Sequence, residues 1–410
     1  MSVAPSTVAL AFAATTNGAN HFSQFQWWWE MALADRLEII VYGPRRNMDT
    51  LGSKISRRER VLGCFLGGAV GDALGAPLEF RNTKDIFELF GPKGLRDFIP
   101  WHAEPGAITD DTQLLLFTAE ALLRTRVMAH GYKTYYPPTI IRNAYRRWLM
   151  TQRHIGPAPD HLETARGWLL DVPELWAERS PDKVSLVSLK KKVLGTPEEA
   201  INDGKGFGAI ARVAPAGMFM QDDAFRLGAE VAAITHGGYT ATCSAGYFAV
   251  IIFHLMHGTT IREGIEGAIR RSAPILGQGE TMRTVQYAVR RADEVRFAGI
   301  DPSWRDVEEF GEGKLAHEAL AISVFCAMSH PEPSRESFEK AVALAVNHNG
   351  NSDTLGALTG QLLGAMHGPD IIPPRWLEQL ELRDVITQMA EDVALEHVEG
   401  PEWKKRYPPL

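Results

Sequence analysis

From Ser56 to the C-terminus, apolar residues recur every three or four positions, which is the spacing of one face of an α-helix. Leu315, Ala319, Ile322 and Cys326 are one example. The pattern predicts an almost wholly helical, all-α domain. The predicted helices cover Val61–Leu74, Thr112–Met128, Thr139–Met150, Asp223–Thr235, Ala241–Met256, Thr259–Arg271, Thr281–Arg296, Lys314–Met328, Arg335–Val346, Thr354–Met366 and Pro374–Ala394.

Two of these helices are unusually rich in small residues, in the stretches Gly63–Gly75 and Leu355–Gly364. Glycine in a helix interior lowers helix propensity. Its repeated use is best explained by close helix–helix approach or by backbone that lies near a ligand. Ser56 and Glu59 have the spacing of a capping box, which predicts the start of the first helix.

The first 56 residues differ from the rest and are predicted to be an N-terminal extension, followed by one domain over 57–410. The first 29 residues contain no Asp, Glu, Lys or Arg and end in Trp27, Trp28 and Trp29. Leu37–Tyr42 is predicted to be a short strand. Inside the domain, Arg153–Asn202 is predicted to be a looped excursion.

Composition narrows the function classes. The chain has 43 basic and 50 acidic residues, a net charge of −7, so no broad basic surface for nucleic acid is indicated. Its three cysteines lie far apart without a CxxC pair, which favours buried thiols and a reducing, cytoplasmic compartment. No uninterrupted apolar run reaches the roughly 18 residues that cross a bilayer, and no basic n-region of a signal peptide precedes Ala11–Ala13.

Two segments combine hydroxyl and carboxylate side chains at predicted helix starts: Thr109–Thr112 (TDDT) and Asn351–Thr354 (NSDT). Asp, Asn, Ser and Thr are favoured there as caps, and capping alone explains either segment. The same oxygen donors suit Mg²⁺ and, less specifically, Mn²⁺ or Ca²⁺. Two such boxes, more than 200 residues apart, together favour a split metal site.

Three further features are candidates for chemistry. Glu79 follows the first small-residue helix and is either a solvated loop acid, a metal ligand or a base. Gly204–Gly208 is a glycine-rich loop whose N–H groups can surround a phosphate, although such a loop alone is weak evidence. His236 either contacts a ligand or stabilises a helix C-terminus. Asp72 lies in an apolar helix and is expected to be paired or bonded to backbone.

Together these segments resemble the ADP-ribosylglycohydrolase family, relatives of the enzyme that reactivates dinitrogenase reductase. The resemblance rests on residues 63–80, 108–116, 204–215, 235–238 and 347–368. It implies an all-α fold, two Mg²⁺ ions (or Mn²⁺) and hydrolysis of the bond between ADP-ribose and a protein side chain. The implied metal ligands are Thr109, Asp110, Asp111, Asn351, Asp353 and Thr354. The implied catalytic residues are Glu79 and Asp111, and the implied substrate contacts are Gly206, Phe207, Gly208 and His236.

The sequence departs from the family at two positions: Asn351 replaces a common Asp, and Phe207 replaces a smaller or polar residue. The resemblance implies a hydrolase that removes ADP-ribose, with arginine as the expected acceptor by family frequency. The alternative is a binding protein with little turnover. Some relatives resemble immunity proteins, so residues 1–56 either pack on their own domain or plug an ADP-ribosyltransferase toxin. No nucleic-acid or membrane partner is expected.

Overall fold

A computed structural model describes residues 55–102, 104–130, 136–152, 166–219, 223–276 and 279–409. These residues are mostly helical, so the predicted all-α class is confirmed. The seventeen α-helices of the described ranges are α1 Arg57–Gly75, α2 Thr83–Phe90, α3 Asp110–His130, α4 Pro137–Thr151, α5 Lys183–Leu189, α6 Ala214–Phe219, α7 Ala224–Ala233, α8 Tyr239–Met256, α9 Ile261–Leu276, α10 Glu280–Ala298, α11 Trp304–Glu308, α12 Ala316–Ser329, α13 Arg335–Val346, α14 Ser352–His367, α15 Pro374–Gln379, α16 Arg383–Leu395 and α17 Pro401–Arg406.

Short 3₁₀ turns and one small hairpin connect some of the helices. The hairpin pairs β1 (Pro100–Trp101) with β2 (Glu104–Pro105) in antiparallel fashion. The 3₁₀ turns cover Ala76–Leu78, Trp168–Asp171, Pro173–Leu175, Phe207–Ala209 and Pro369–Ile371. The described part of the predicted excursion, from residue 166 to 202, therefore holds two of these turns and the short helix α5.

The predicted helices are all found, with ends that move by a few residues, and one of them needs correction. Pro374–Ala394 is two helices, α15 and α16, and not one. The break begins at Leu380, whose backbone is extended with a ψ of 123°, and includes Leu382, whose φ of +57° lies in the left-handed region. The capping box at the start of α1 is confirmed, since Ser56 N–H donates to Glu59 Oε2 over 2.7 Å.

Helices α1 and α14 pack backbone against backbone, because glycines face each other at four-residue steps. Gly63, Gly67 and Gly71 of α1 lie opposite Gly364, Gly360 and Gly356 of α14. A Cβ atom on any of these six residues would come closer than 3.0 Å to a backbone oxygen of the other helix. We call this contact the glycine ladder. The reversed order of its rungs makes the two helices antiparallel, so the start of α14 meets the end of α1.

Two helical segments are long and apolar enough to cross a membrane by length and mean hydropathy alone, Arg57–Leu78 and Tyr239–Met256. Their most apolar windows are 100% and 83% buried inside the protein. This burial is typical of core helices in a globular domain. The three thiols, of Cys64, Cys243 and Cys326, are free and buried, as predicted.

The predicted strand Leu37–Tyr42 and the tryptophans at 27–29 lie outside the described residues. The boundary near residue 56 therefore stays a prediction.

Candidate functional site

Asp72 of α1 fixes the first hydroxyl–carboxylate box. Its carboxylate accepts hydrogen bonds from Thr109 N–H over 3.0 Å and from Thr109 Oγ1 over 2.6 Å. It also accepts from Thr112 N–H over 3.3 Å and from the Thr112 hydroxyl. Asp72 is fully buried and caps α3 from a different helix. The expectation that this acid is bonded to backbone is confirmed.

The second box is brought against the first. The Thr354 hydroxyl, in the first turn of α14, donates to Asp111 Oδ2, in the first turn of α3. The glycine ladder explains this contact, because it holds the start of α14 against the end of α1. At that end of α1, Asp72 accepts a hydrogen bond from the Thr109 hydroxyl. Two segments that lie 243 positions apart in the sequence thus share one buried site.

Five acidic side chains of this site perturb one another. Burial and the charge of Asp72 raise the pKa of Glu79 to about 7. Burial and the charge of Asp72 also raise the pKa of Asp111 to about 7, against an opposing hydrogen bond from Thr354. The pKa of Asp110 is raised well above its usual value by burial and by Asp111. The pKa of Asp353 is likewise raised by burial and then by Glu79.

Such crowding is costly unless protons or cations reduce the negative charge. The available donors are carboxylate, hydroxyl and amide oxygens, the ligand types preferred by Mg²⁺ and Mn²⁺. Thr109 and Thr354 give their hydroxyl protons to carboxylates, which leaves oxygen lone pairs for a cation. The amide oxygen and nitrogen of Asn351 are buried without a hydrogen-bond partner in the described ranges. The donor set therefore fits a hard divalent cation.

Within the described residues, no group of three or more His, Cys, Asp or Glu side chains already forms a metal cage. The metal assignment of Thr109, Asp110, Asp111, Asn351, Asp353 and Thr354 consequently rests on the donor chemistry and stays a prediction. All six residues are buried.

The glycine-rich loop, Gly204–Gly208, is held by backbone hydrogen bonds to the start of α12. Phe207 N–H donates to Lys314 C=O over 3.2 Å, and Ala316 N–H donates to Lys205 C=O over 2.9 Å. Gly206 and Leu315 form an isolated antiparallel bridge. The loop therefore has a fixed shape, with its 3₁₀ turn beginning at Phe207.

Asn202 ties this loop to the segment of His236, a connection that the sequence did not reveal. Its Oδ1 accepts from Gly204 N–H over 2.9 Å and from Gly237 N–H over 3.0 Å. Its Nδ2 donates to Ser188 Oγ over 2.9 Å and to Thr235 C=O over 2.8 Å. All four polar contacts of one amide are thus used. The sequence feature that could have indicated this role is an Asn two residues before a glycine-rich loop, and that feature is not specific.

Asp182 connects His236 with the acid cluster. His236 is fully buried, and its Nε2 lies 3.1 Å from Asp182 Oδ2. Asp182 also caps α5 by accepting from Val184 N–H over 3.0 Å, and its own N–H donates to Asp110 Oδ2 over 3.4 Å. Burial opposes the ionisation of Asp182, but His236, the Val184 N–H and the charge of Arg212 outweigh it, so its pKa is lowered.

An aromatic rim borders Glu79 and the loop. Phe80 is 56% exposed and has a φ of +58°, with its N–H donating to Gly350 C=O over 2.8 Å. Its ring centroid lies 6.5 Å from that of Phe207, and Lys314 Nζ lies 5.8 Å from the Phe80 ring. The Phe207 departure therefore supplies half of an aromatic pair at this rim.

Comparisons with known proteins agree with this architecture. The family model for ADP-ribosylglycohydrolases matches residues 53–402. The ADP-ribosylarginine hydrolase Tri1 of Serratia proteamaculans is 22% identical over 340 residues, which cover 82% of this chain and 79% of that protein. The ADP-ribosyl-dinitrogen reductase glycohydrolase of Rhodospirillum rubrum is 25% identical over 333 residues, 80% of this chain and 92% of its own. A solved ADP-ribosylglycohydrolase-related protein complex superposes with a TM-score of 0.53 and 26% identity, covering 84% of this chain and 99% of that one.

Proposed function

Because the chain belongs to the ADP-ribosylglycohydrolase family of hydrolases, we propose that it removes ADP-ribose from modified protein side chains in a magnesium-dependent reaction, with arginine as the acceptor. The observation that carries the proposal is the buried contact between Thr354 and Asp111. It joins two oxygen-donor boxes in a cluster of acids whose charge a divalent cation would balance. Mn²⁺ could replace Mg²⁺ in the same donor set.

The metal-holding residues are proposed to come from both helix starts: Thr109, Asp110 and Asp111 of one box, and Asn351, Asp353 and Thr354 of the other. When bound, two divalent cations would neutralise these carboxylates, anchor the ribose hydroxyls and lower the pKa of a bound water. Asp72 acts on this arrangement from behind, since it keeps Thr109 in place through two hydrogen bonds.

Glu79 is proposed to handle the proton at the reacting bond. It is only partly buried, at the mouth of the acid cluster, and its raised pKa near 7 lets the carboxyl group hold or release a proton near neutral pH. Cleavage of a glycosidic bond develops positive charge at the anomeric carbon. Carboxylates close to that carbon would stabilise the charge.

The loop side is proposed to hold the ADP portion of the substrate. Gly206 and Gly208 are proposed to offer their backbone N–H groups, because residues without a side chain let a phosphate approach closely. The Phe207 N–H is already bonded to Lys314 C=O, so Phe207 is proposed to contact the ligand through its side chain. His236 is oriented by Asp182 on one ring nitrogen and by Thr235 Oγ1, 2.9 Å from Nδ1, on the other. The arginine acceptor is supported by the name of the Tri1 relative, an ADP-ribosylarginine hydrolase.

The test is release of ADP-ribose from an arginine-ADP-ribosylated protein, with Mg²⁺ and then with EDTA. We expect release that needs Mg²⁺ and that falls by roughly a thousandfold or more in Asp111→Ala. Asp384→Ala is a matched control, because Asp384 also lies in a first helix turn but its side chain is 93% exposed; its rate should equal that of the native protein. Asp111→Asn should lose metal binding without losing stability: its melting temperature in EDTA should be equal to or higher than that of the native protein, because one acid leaves the crowded cluster.

The same experiment separates the binding alternative. A folded protein that binds ADP-ribose but releases none, with or without Mg²⁺, would be a binder and would contradict the hydrolase. A role for residues 1–56 as a plug for an ADP-ribosyltransferase toxin, and a cytoplasmic location, stay predictions.

A further inference from the structure

A buried arginine lies directly behind the glycine-rich loop. Arg212 is 0% exposed, and its Nη2 donates to Ser185 Oγ over 3.0 Å. Its Cζ lies 5.3 Å from the centroid of the Tyr145 ring. The Nε and Nη1 groups of Arg212 have no hydrogen-bond partner among the described residues. A buried guanidinium without a direct carboxylate partner costs stability. The charged groups that its positive charge could stabilise therefore lie farther from Arg212.

Arg212 lies beside Asp182, whose backbone contacts the acid cluster. A Cβ atom on Gly208 would be 3.3 Å from Arg212 Nη2 and 3.0 Å from Asp182 Oδ2, so both charged side chains lie against Gly208. The Asp182 N–H donates to Asp110 Oδ2 over 3.4 Å. Arg212 is thus close to the acid cluster and to the loop at once.

The position of Arg212 matters because the acid cluster favours cations, whereas the proposed diphosphate site at the loop must bind an anion. The acid cluster is strongly negative when ionised, and the diphosphate of ADP-ribose is an anion that must bind beside it. Like charges in a site of low dielectric repel strongly. A positive charge that is fixed behind the loop reduces this repulsion without occupying the space of the substrate.

We propose that Arg212 is a positioning residue that acts as a buried counter-charge, which allows the loop at Gly206–Gly208 to hold an anionic diphosphate next to the acid cluster. This inference rests on the proposed function, since it assumes an ADP-ribose ligand. Arg212 acts through the Gly208 backbone and does not touch the substrate. Substitutions can separate an effect of the Arg212 charge from an effect of the shape of its side chain.

The test measures binding of Mg²⁺ and of ADP-ribose by calorimetry in the full chain. Arg212→Gln and Arg212→Met remove the charge, and the methionine side chain also avoids leaving a buried polar group if the glutamine variant does not fold. In either one we expect at least about a tenfold loss of ADP-ribose affinity in the presence of Mg²⁺. Measured at an alkaline pH where the carboxylates are ionised with or without Arg212, Mg²⁺ affinity should be unchanged or higher, because a cation that repels the metal has been removed.

Arg212→Lys keeps the charge but loses the planar contact with the Tyr145 ring, so it should lose less ADP-ribose affinity than either neutral variant. D-ribose, which carries no phosphate, should be affected equally little by all three variants. A purely structural Arg212 would instead weaken Mg²⁺ and ADP-ribose together. That result, or neutral variants that bind ADP-ribose as the native protein does, would overturn the proposal. A native protein that binds no ADP-ribose at all would overturn the proposed function itself, and this inference with it.

Discussion

The two halves of the site are positioned by different means. The half that is proposed to bind metal, called the metal half, depends on main chain packed against main chain: the glycine ladder between α1 and α14 brings Asp353 and Thr354 to Asp111. The loop half depends on two partly buried polar side chains. Asn202 accepts hydrogen bonds from Gly204 N–H and Gly237 N–H, and Asp182 Oδ2 lies 3.1 Å from His236 Nε2. Glycines without side chains therefore position the first half, and polar contacts of side chains position the second.

This difference predicts different failures. Disturbing the ladder should separate the metal ligands and lower overall stability together, because the same contact does both. Replacing Asn202 or Asp182 should make the loop less ordered and lower its affinity for substrate, while the metal half stays intact. The halves meet through the Asp182 N–H and Asp110 Oδ2, 3.4 Å apart, so the separation can be measured but is not complete.

The largest effect is expected for Gly71→Ala in the ladder. The new Cβ would meet the carbonyl oxygen of Gly356 at less than 3.0 Å, so the helices must move apart. Such overpacking costs about 3 kcal/mol, and the better helix propensity of Ala offsets about 1 kcal/mol. Denaturant unfolding should therefore show a net loss of about 2 kcal/mol, with a parallel loss of Mg²⁺ affinity.

Gly68→Ala is the matched control in the same helix. Its Cβ would meet the Cγ atom of the buried Gln361 side chain at 2.6 Å. That side chain must give up its Nε2 hydrogen bond to Ala211 C=O to move, at a cost of about 1 kcal/mol, but it can move without separating the two helices. We expect a clearly smaller loss of stability. Equal losses for the two variants would show that backbone contact is not what makes the ladder special.

An intermediate effect is expected for Asn202→Ala in the loop half. Removing the amide leaves Gly204 N–H and Gly237 N–H without their acceptor. This should destabilise the ordered conformation of the loop by about 1–3 kcal/mol. KM or the dissociation constant for ADP-ribose should rise about tenfold, while Mg²⁺ affinity stays the same. Asn82→Ala serves as control: Asn82 caps the exposed start of α2, so only a small change in stability should follow.

The smallest effect is expected for Asn351→Asp, which increases the charge difference between the halves. A carboxylate in place of the unpartnered amide should raise Mg²⁺ affinity roughly fivefold, and it should lower the melting temperature in EDTA because another buried acid joins the cluster. Asn347→Asp is the comparison, since Asn347 bonds the backbone of Leu95; it should lower the melting temperature with no gain from Mg²⁺. The same response from both variants would place Asn351 away from the metal.

The sequence predicted the positions of the two oxygen-donor boxes at helix starts, but it did not predict the side chains that hold the loop, and the reason is physical. Apolar periodicity, repeated glycines and caps at helix starts are local signals, and they place Thr109–Thr112 and Asn351–Thr354 at helix ends. Asp182, Asn202 and Arg212 act through partners in segments without periodicity, so only the folded chain brings them together. The break at Leu382 was missed for a similar reason, because a leucine with positive φ has no sequence signal.

The glycine ladder also limits the ways in which this chain can fold. Its rungs recur every four residues, or about 6 Å along a helix, so α1 and α14 can pair closely only at discrete offsets. A chain paired one rung out of register would still bury many of its glycines, yet it would draw Thr354 about 6 Å from Asp111, several times a metal–oxygen bond of about 2 Å. Activity per folded molecule would therefore report the register of two helices, a property that helix content and compactness do not detect.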